Sequence, residues 1–394
     1  MKKINKIQIA SPSIGKEEIK SVVDCINSKW ITQGPRVKSF EYNFSRYHKA
    51  RYGIAVTSCT TGLHLILKTL NLKKEDEVIV PSFTWISTAN VVEYCGAKLI
   101  LADNDEETNN ISEEDLLKKI TKKTKAIIIV HLFGNVFDVS KLKKKLPKRI
   151  KIIEDCACSA GAKINNKFTG TLGYAGCFSF HPRKIISTGE GGMILTNSKK
   201  LALKLVKLRN HGAELSEEKR HKSKNPFILP KFKILGFNYR MTDIHGAIGV
   251  EQTKKLKFLL QERKKWSNYY FKKLKNLNIF KLPAITKNST HGWQSFVLHY
   301  NLKKAKKSLT EIMKILETKK ISVRMGTHAI HNLEYYKKKY NYKKLHFPGA
   351  EYCEKNSIAI PLHNNMNSKD YEYIVNIILN LDKQYSARFR IQKT

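Results

Sequence analysis

The chain has 394 residues, a formal net charge of +40 at pH 7 and a hydrophobic share of 41%. This length exceeds that of one ordinary domain and predicts two to three globular domains with a sizeable core. The lysines are spread along the whole chain rather than gathered in one arm. We therefore predict no specific nucleic-acid partner, although the charge favours anionic substrates such as nucleotide diphosphates.

The cysteines indicate free thiols in a reducing compartment, because they are odd in number, seven in all, and contain no Cys-x-x-Cys pair. Cys156 and Cys158 are separated by one residue, but no neighbouring Cys or His completes a ligand set, so we predict no metal site. The basic start lacks the apolar segment of a signal peptide, and no run approaches the ~20 apolar residues of a membrane helix. We expect a cytoplasmic protein with no membrane partner.

A strand, a turn and a helix start follow one another near the beginning of the chain. The strand covers residues 52–56, and the turn Thr57-Ser58-Cys59-Thr60-Thr61-Gly62 leads into an amphipathic helix. Unpaired N–H groups and the helix dipole converge at such a start. We interpret it as a phosphate site with donors at Thr60 and Thr61, although the same hydroxyls would also explain a plain helix N-cap.

Further apolar runs predict a parallel sheet. They cover residues 77–82, 98–102, 126–131 and 151–155, and helical stretches separate them. Continuous apolar strands of this kind are typical of a sheet covered by helices on both faces, whose ligands bind beyond the carboxyl ends of the strands. The turn at 57–61, Trp85, His131 and Asp155 all follow strand ends, so we expect them to form one site.

The stretch 178–197 contains a single lysine, Lys184, on a short connection that ends in the glycine-rich turn 188–192. Burial lowers the pKa of a lysine, and an aldehyde cofactor requires an amine that is neutral part of the time. Asp155 closes the strand at 151–155 and could keep the ring nitrogen of pyridoxal phosphate (PLP) protonated. The plainer interpretations are that Lys184 is a surface lysine and that Asp155 merely ends a strand.

The C-terminal part alternates strands and helices. We predict a large domain over residues 1–252 and a small α+β domain over 253–394, with a helix over 242–252 and a linking helix at about 253–277. The polar residues 214–233 are expected to form a mobile loop beside the site, and residues 386–394 a disordered basic tail.

These segments resemble the DegT/DnrJ/StrS family of PLP-dependent sugar aminotransferases. The resemblance rests on the stretch around Lys184 with Asp155, on the loop Trp30-Ile31-Thr32-Gln33-Gly34-Pro35, and on the segment LGFNYRMTDI at residues 235–244. It covers about residues 8–382. It implies an α/β aminotransferase of PLP fold type I, with a mostly parallel central sheet flanked by helices in the large domain and a smaller α+β C-terminal domain.

The resemblance also implies roles for single residues. Lys184 would bind PLP as a Schiff base and then shuttle a proton, and Asp155 would pair with the ring nitrogen. Ser179 would contact the cofactor phosphate, and Trp85 would stack on the ring, with a buried core tryptophan as the alternative. Asn238 would reach the neighbouring subunit's cofactor phosphate, which implies a homodimer with a shared active site.

Two further sets of residues complete the predicted site. Trp30 and Thr32 are expected near the substrate, and His331 is the best match to a substrate-facing histidine, with a solvated histidine as the alternative. The family most often has glycine where this chain has Cys59, and His or Gln where it has Cys158. A thiol donates only weakly, so the contact of Cys158 with the cofactor's ring oxygen is expected to be weak or made by another residue.

The activity implied is transfer of an amino group from glutamate or glutamine to a keto group of a nucleotide-linked sugar, as in perosamine synthesis. Surface polysaccharide such as O-antigen is the expected destination. A cyclitol acceptor is one alternative, because it also presents a ring ketone. A PLP-dependent sugar dehydratase is another, but known members replace the lysine with histidine or add iron–sulfur cysteines. A non-enzymatic sensor or nucleic-acid-binding protein is supported only by the charge.

Overall fold

The computed structural model describes residues 5–214, 227, 229–342 and 346–387, so most of the loop predicted at 214–233 and of the tail at 386–394 lies outside the described residues. The helices are α1 (Lys16–Asn27), α2 (Pro35–Tyr47), α3 (Cys59–Lys68), α4 (Ser87–Tyr94), α5 (Glu113–Lys118), α6 (Val139–Lys145), α7 (Lys199–Leu208), α8 (Asp243–Lys273), α9 (Leu309–Thr318), α10 (Glu334–Tyr340), α11 (Pro348–Asn356) and α12 (Ser368–Tyr385).

The strands are β1 (Tyr52–Val56), β2 (Glu77–Pro81), β3 (Phe83–Thr84), β4 (Lys98–Ala102), β5 (Thr124–Val130), β6 (Lys151–Asp155), β7 (Lys163–Ile164), β8 (Lys167–Phe168), β9 (Ala175–Ser179), β10 (Gly192–Thr196), β11 (Phe280–Lys281), β12 (Ser289–Thr290), β13 (Phe296–Tyr300), β14 (Arg324–Met325), β15 (His328–Ala329) and β16 (Ser357–Ile360).

A seven-stranded sheet forms the centre of the molecule, in the order β1-β10-β9-β6-β5-β2-β4. The pairs from β9 to β4 are all parallel, whereas β10 runs antiparallel to both of its neighbours. The strands are largely buried, and helices such as α3 and α4 connect them. The predicted α/β class with a mostly parallel central sheet is confirmed.

The carboxyl ends of β5, β6 and β9 lie side by side. Val130 pairs with Asp155, Asp155 pairs with Cys177, and the His131 N–H donates to the Asp155 carbonyl at 3.1 Å. Helix α3 packs across these ends so closely that a Cβ on Gly62 would collide with the Cys177 side chain. This close approach requires glycine and brings the start of α3 to the edge of the sheet where Asp155 lies.

Helix α8 is one continuous element rather than the two helices predicted to meet at residue 252. The Thr242 hydroxyl caps its start by accepting from the His245 N–H. Between Val250 and Lys273 the chain has no glycine or proline, so nothing ends the helix at Gln252. The division into domains at that residue stays a prediction.

A second core lies around the four-stranded sheet β11-β13-β16-β14. Ile7, close to the chain start, belongs to it, because its N–H donates to the Lys320 carbonyl at 2.8 Å and its carbonyl accepts from the Ser322 N–H at 3.0 Å. Conversely, Phe347 and Ala350 come from the C-terminal part of the chain but pack in the core around the central sheet. Within the described residues, no helix is long and apolar enough to span a membrane.

Several histidines are buried in their neutral form. His48 is the clearest, because its Nε2 accepts from the Gly161 N–H at 3.0 Å and its Nδ1–H donates to the Phe44 carbonyl at 2.9 Å. Burial lowers the pKa of His48 to about 4, and it lowers the pKa of His291 to about 3. A histidine in the unfolded chain has a pKa near 6.5. Between pH 6.5 and pH 4, the unfolded chain therefore binds a proton at His48 that the folded protein does not, and this favours unfolding.

We predict that the free energy of unfolding falls as the pH falls from about 6.5 towards 4. The stabilisation that comes from keeping His48 neutral is fully present above pH 6.5, the pKa of the unfolded histidine. It is lost as the pH falls to about 4, the pKa of His48 in the folded protein, and the free energy of unfolding then changes by up to about 3 kcal/mol. Urea unfolding at pH 7 and pH 5 measures this change. The His48→Gln variant should be less stable at pH 7 but show a smaller loss at pH 5, whereas His346→Gln, at an exposed position, should keep the wild-type loss. Equal losses in all three proteins would contradict the assignment.

Candidate active site

Lys184 lies in the connection between β9 and β10, which is folded back on itself. The backbone N–H of Lys184 donates to the His181 carbonyl at 2.8 Å. The Phe180 N–H donates to the Gly191 carbonyl, and the Phe180 carbonyl accepts from the Thr188 N–H. The turn needs glycine at residue 189, whose φ of 84° is strained for other residues. The predicted tight, glycine-rich connection is therefore present, and it holds Lys184 partly buried rather than on the open surface.

The ammonium group of Lys184 contacts a thiol. Its Nζ donates to Cys158 Sγ at 3.3 Å. Burial alone would lower the pKa of Lys184, but Cys158, Asp155 and Cys59 outweigh burial and raise that pKa above the ordinary lysine value. The expectation of a lowered pKa is wrong here, because it counted burial without the acidic groups that surround the amine.

Asp155 is 4% exposed and ends β6 as predicted. Its Oδ2 accepts from the Thr88 hydroxyl at 2.9 Å, and its Oδ1 accepts from the Ala157 N–H at 3.1 Å and from the Cys59 thiol at 3.8 Å. These donors stabilise the carboxylate and fix its orientation. Sequence reasoning missed Thr88, because a threonine in the first turn of a helix is usually explained by the helix itself.

The start of α3 has the donors of an anion site. Ser58 is the N-cap and its hydroxyl accepts from the Thr61 N–H at 3.1 Å. Among the described residues, the backbone N–H groups of Cys59 and Thr60 have no hydrogen-bond acceptor. Ser179 lies close by, because it pairs with Gly192, and a Cβ on Gly192 would meet the Ser58 carbonyl.

Trp85 lies between β3 and α4, three residues before Thr88, and is 54% exposed. The alternative of a buried core tryptophan is wrong, because more than half of the side chain is open to solvent. The ring centroid of His328 lies 5.8 Å away, since β15 pairs with β3. Trp85 therefore offers an aromatic face at the same strand ends as Asp155.

The structure places His331 in the interior, at 1% exposure. Its Nδ1 contacts the Ser82 hydroxyl at 2.7 Å and its Nε2 contacts Glu351 Oε1 at 3.0 Å. Both ring nitrogens are thus occupied, which speaks against the substrate contact predicted for His331, and the solvated alternative is wrong. The exposed histidine beside Trp85 is His328, three residues earlier in the same segment.

Trp30, Thr32 and Asn238 make no described contact with Lys184 or Asp155. The loop of Trp30 and Thr32 is tied to α8, because the carboxylate of Asp243 accepts from the Gly34 N–H at 2.8 Å and the Asp243 N–H donates to the Thr32 carbonyl at 3.1 Å. Asn238 is exposed, and its neighbour Tyr239 accepts from the Thr57 N–H at 3.1 Å. Their predicted roles stay predictions.

One buried group of the described residues has the chemistry of metal ligands, namely His131, Glu154 and Cys156. The carboxylate of Glu154 and both ring nitrogens of His131 already have partners within the protein. Glu154 accepts from His131 Nε2 at 3.1 Å and from the N–H groups of Gly170 and Leu172, and His131 Nδ1 accepts from the Phe137 N–H. We interpret this group as a hydrogen-bonded brace.

The residues present fit PLP. The free N–H groups at the start of α3 and Ser179 would hold the phosphate, Trp85 would cover the ring, Asp155 would face its nitrogen, and Lys184 offers the amine. The exposed face of Trp85 and the acceptor-free N–H groups are the observations that leave room for such a ligand.

This fold and this donor set define a PLP-dependent enzyme of fold type I. The chain belongs to the DegT/DnrJ/EryC1/StrS aminotransferase family, which matches residues 12–379. It is therefore a sugar aminotransferase whose cofactor is PLP.

Three comparisons illustrate the relationship. The uncharacterized protein MJ1066 of Methanocaldococcus jannaschii is 36% identical over 93% of this chain and 95% of its own length. GDP-perosamine synthase of Caulobacter vibrioides is 33% identical over 95% of this chain and 98% of its own length. The structure of Escherichia coli GDP-4-keto-6-deoxy-D-mannose-3-dehydratase with bound hydrated PLP has a TM-score of 0.86 at 27% identity, covering 95% of this chain and 100% of that chain.

We predict that Thr88→Val weakens PLP binding about tenfold, because the Asp155 carboxylate loses a buried donor at a cost of about 1–3 kcal/mol. Thr88→Ser keeps the hydroxyl and should bind PLP like the wild type. Absorbance titration of the cofactor-free protein with PLP measures both affinities. Equal affinity of the Val and Ser variants would show that Thr88 does not support Asp155.

Proposed function

We propose that the protein transfers an amino group from glutamate or glutamine to a keto group of a nucleotide-linked sugar, in the cytoplasm, for surface polysaccharide such as O-antigen. The observation that carries this proposal is that the amine of Lys184 and the carboxylate of Asp155 both lie near Cys59, the first residue of α3, where two backbone N–H groups have no acceptor among the described residues. The similarity to GDP-perosamine synthase supports a nucleotide sugar as the acceptor. The net charge of +40 suits a diphosphate substrate.

Each group of the site has a task in this reaction. PLP, when bound, supplies an aldehyde and a ring that withdraws electrons. Asp155, held by Thr88, would keep a proton on the ring nitrogen. Lys184 Nζ would hold the cofactor, and the same amine would take the proton from the donor's α carbon. The dehydratase alternative is weaker, since Lys184 occupies the position at which its known members have histidine.

The substrate side of the site would be lined by Trp85 and by residues of the C-terminal part. His328 lies beside Trp85 and is exposed, so it can donate to a hydroxyl or phosphate of the sugar nucleotide. We propose that Trp30 and Thr32 contribute through the loop that Asp243 fixes to α8. A cyclitol acceptor would use the same ring ketone, and only the binding of the nucleotide distinguishes it.

We predict that the wild-type protein shows the absorption band of lysine-bound PLP, and that glutamate bleaches it to the aminated cofactor. Lys184→Ala should lack that band while keeping the fold. Absorbance spectra before and after addition of glutamate provide the measurement. A GDP-linked keto sugar should then restore the band, whereas a free cyclitol ketone should not.

A colourless protein that PLP cannot reconstitute would overturn the proposed function. A bound cofactor that no amino donor changes would do the same, and it would favour the dehydratase alternative. Asp155→Asn is the matched control, since it keeps Lys184 but should bleach far more slowly because the ring nitrogen loses its charged partner.

We also propose that the enzyme is a homodimer with shared active sites. Asn238 is exposed and has no side-chain hydrogen bond among the described residues, yet its neighbour Tyr239 is bonded to the phosphate loop at Thr57. Phe232 and Leu235, on the same segment, are exposed apolar side chains. These features support a contact surface beside the phosphate site, from which Asn238 can reach a second subunit.

We predict that two inactive variants restore activity when mixed. Lys184→Ala and Asn238→Asp each disable one half of a shared site, so a mixed dimer contains one site with both residues intact. After subunit exchange, the mixture should reach about a quarter of wild-type activity, as random pairing of two subunits requires. No recovery in a mixture shown by native mass spectrometry to contain mixed dimers would rule out the shared site.

A further inference from the structure

A segment of the C-terminal part, residues 291–295, lies against the connection that carries Lys184. The side-chain amide of Gln294 donates from Nε2 to the Arg183 carbonyl at 3.0 Å, although 111 residues separate the two in the chain. Among the described residues, no other group donates to this carbonyl. Arg183 directly precedes Lys184, so Gln294 bonds the peptide group that joins these two residues.

The peptide group between Arg183 and Lys184 is therefore held at both ends. Its carbonyl accepts from Gln294, and its N–H donates to the His181 carbonyl at 2.8 Å. A peptide group is planar, so hydrogen bonds at its two ends fix the orientation of the whole plane. The α carbon of Lys184 lies in that plane, and the orientation of the plane thus sets the direction in which the lysine side chain leaves the backbone.

Gln294 is itself held in one orientation. The Ser295 hydroxyl donates to Gln294 Oε1 at 2.9 Å, which leaves the amide nitrogen facing Arg183. The backbone carbonyls of Trp293 and Gln294 accept from Arg263 of α8, a side chain that is 3% exposed. Trp293 has a φ of 49°, which a residue other than glycine keeps only where its surroundings hold it. The segment is therefore a firm support for the amide.

The same segment also meets the turn that receives the lysine side chain. A Cβ on Gly292 would lie 3.2 Å from the Cys158 carbonyl, and the Gly292 N–H donates to the Gly134 carbonyl at 2.8 Å. The Cys158 thiol accepts from Lys184 Nζ at 3.3 Å. The C-terminal part thus contacts both the backbone that carries the lysine and the turn to which its amine is bonded.

A second glutamine holds the connection beyond the lysine. Gln252 of α8 accepts from the Ser187 N–H at 3.1 Å, but it is fully buried and also donates to Glu18 of α1. Replacing Gln252 would therefore disturb the packing of two helices. Gln294 is only partly buried, and within the described part of the chain its amide nitrogen bonds the Arg183 carbonyl alone. Its contribution can be isolated by substitution.

We propose that Gln294 is a positioning residue for Lys184, and that its bond to the Arg183 carbonyl keeps the amine in the orientation seen in the structure. Gln294 bonds no reacting atom, since it acts through the peptide group between Arg183 and Lys184. The restraint on the connection does not depend on a cofactor. Its effect on the rate of the reaction rests on the proposed function.

Hydrogen–deuterium exchange of the full-length, cofactor-free protein at pH 7, followed by peptide mass spectrometry, tests the restraint. Gln294→Met removes the donor at nearly the same side-chain length. Exchange in peptides covering residues 181–187 should become about fivefold faster, which equals about 1 kcal/mol and is typical of one hydrogen bond. The matched control Gln384→Met, at an exposed position of α12, should exchange like the wild type.

Equal exchange of residues 181–187 in Gln294→Met and the wild type would overturn the restraint. Faster exchange to the same extent in the central strands β5 and β6 would overturn it too, because Gln294 would then stabilise only the fold as a whole. Should Gln294→Met fold poorly, Gln294→Glu decides in the same way. It keeps the acceptor for the Ser295 hydroxyl but places a second oxygen against the Arg183 carbonyl.

A second measurement follows the capture of PLP by absorbance. Gln294→Met should capture PLP about fivefold more slowly at saturating PLP, because the amine is held less firmly. The PLP concentration that gives half of the maximal rate should stay that of the wild type, because the phosphate donors at the start of α3 are unchanged.

An unchanged maximal rate of capture together with faster exchange would overturn the positioning role. Faster exchange in Gln294→Met, when PLP binds neither the variant nor the wild type, would overturn the proposed function and leave the restraint intact.

Discussion

The hydrogen bond from Thr88 to Asp155 connects helix α4 with strand β6 of the central sheet, and the site depends on both. A carboxylate that is 4% exposed is costly unless donors surround it, and here the donors come from α4, from the turn after β6 and from the first residue of α3. Any shift of α4 against the sheet would leave the carboxylate short of a partner. Trp85 directly precedes the same helix, so such a shift would displace the aromatic face as well.

Strand β6 supports the site from both of its faces, because successive side chains of a strand point to opposite sides. Asp155 points towards α3 and α4. Glu154, one residue earlier, accepts from the N–H groups of Gly170, Leu172 and Gly173 and from His131. This brace fixes the turn that leads into β9, whose end starts the Lys184 connection. A single buried strand therefore positions both the carboxylate and the lysine.

Much of the site could be predicted from local patterns. Lys184 follows one strand-like run, Asp155 ends another, and the turn at Thr57 and Ser58 precedes a helix, so their placement needed only the order of the strands. The contact of Thr88 with Asp155 could not be predicted, because it depends on how α4 packs against the end of β6. The burial of His331 and the exposure of His328 could not be predicted either, because they depend on how β15 pairs with β3 across more than 240 residues. The direction of a side chain at such a junction is set by long-range register, which a local pattern does not contain.

Cys59 stands where the family resemblance implies glycine. Its side chain is buried behind the start of α3, where the thiol contacts Asp155 and the Cys177 carbonyl. Gly62, one turn further along α3, leaves the space that the Cys177 sulfur fills. The cysteine side chain therefore fills volume between α3 and the central sheet. Cys59 therefore adds a donor to the Asp155 carboxylate, and the backbone N–H groups of Cys59 and Thr60 stay without an acceptor among the described residues.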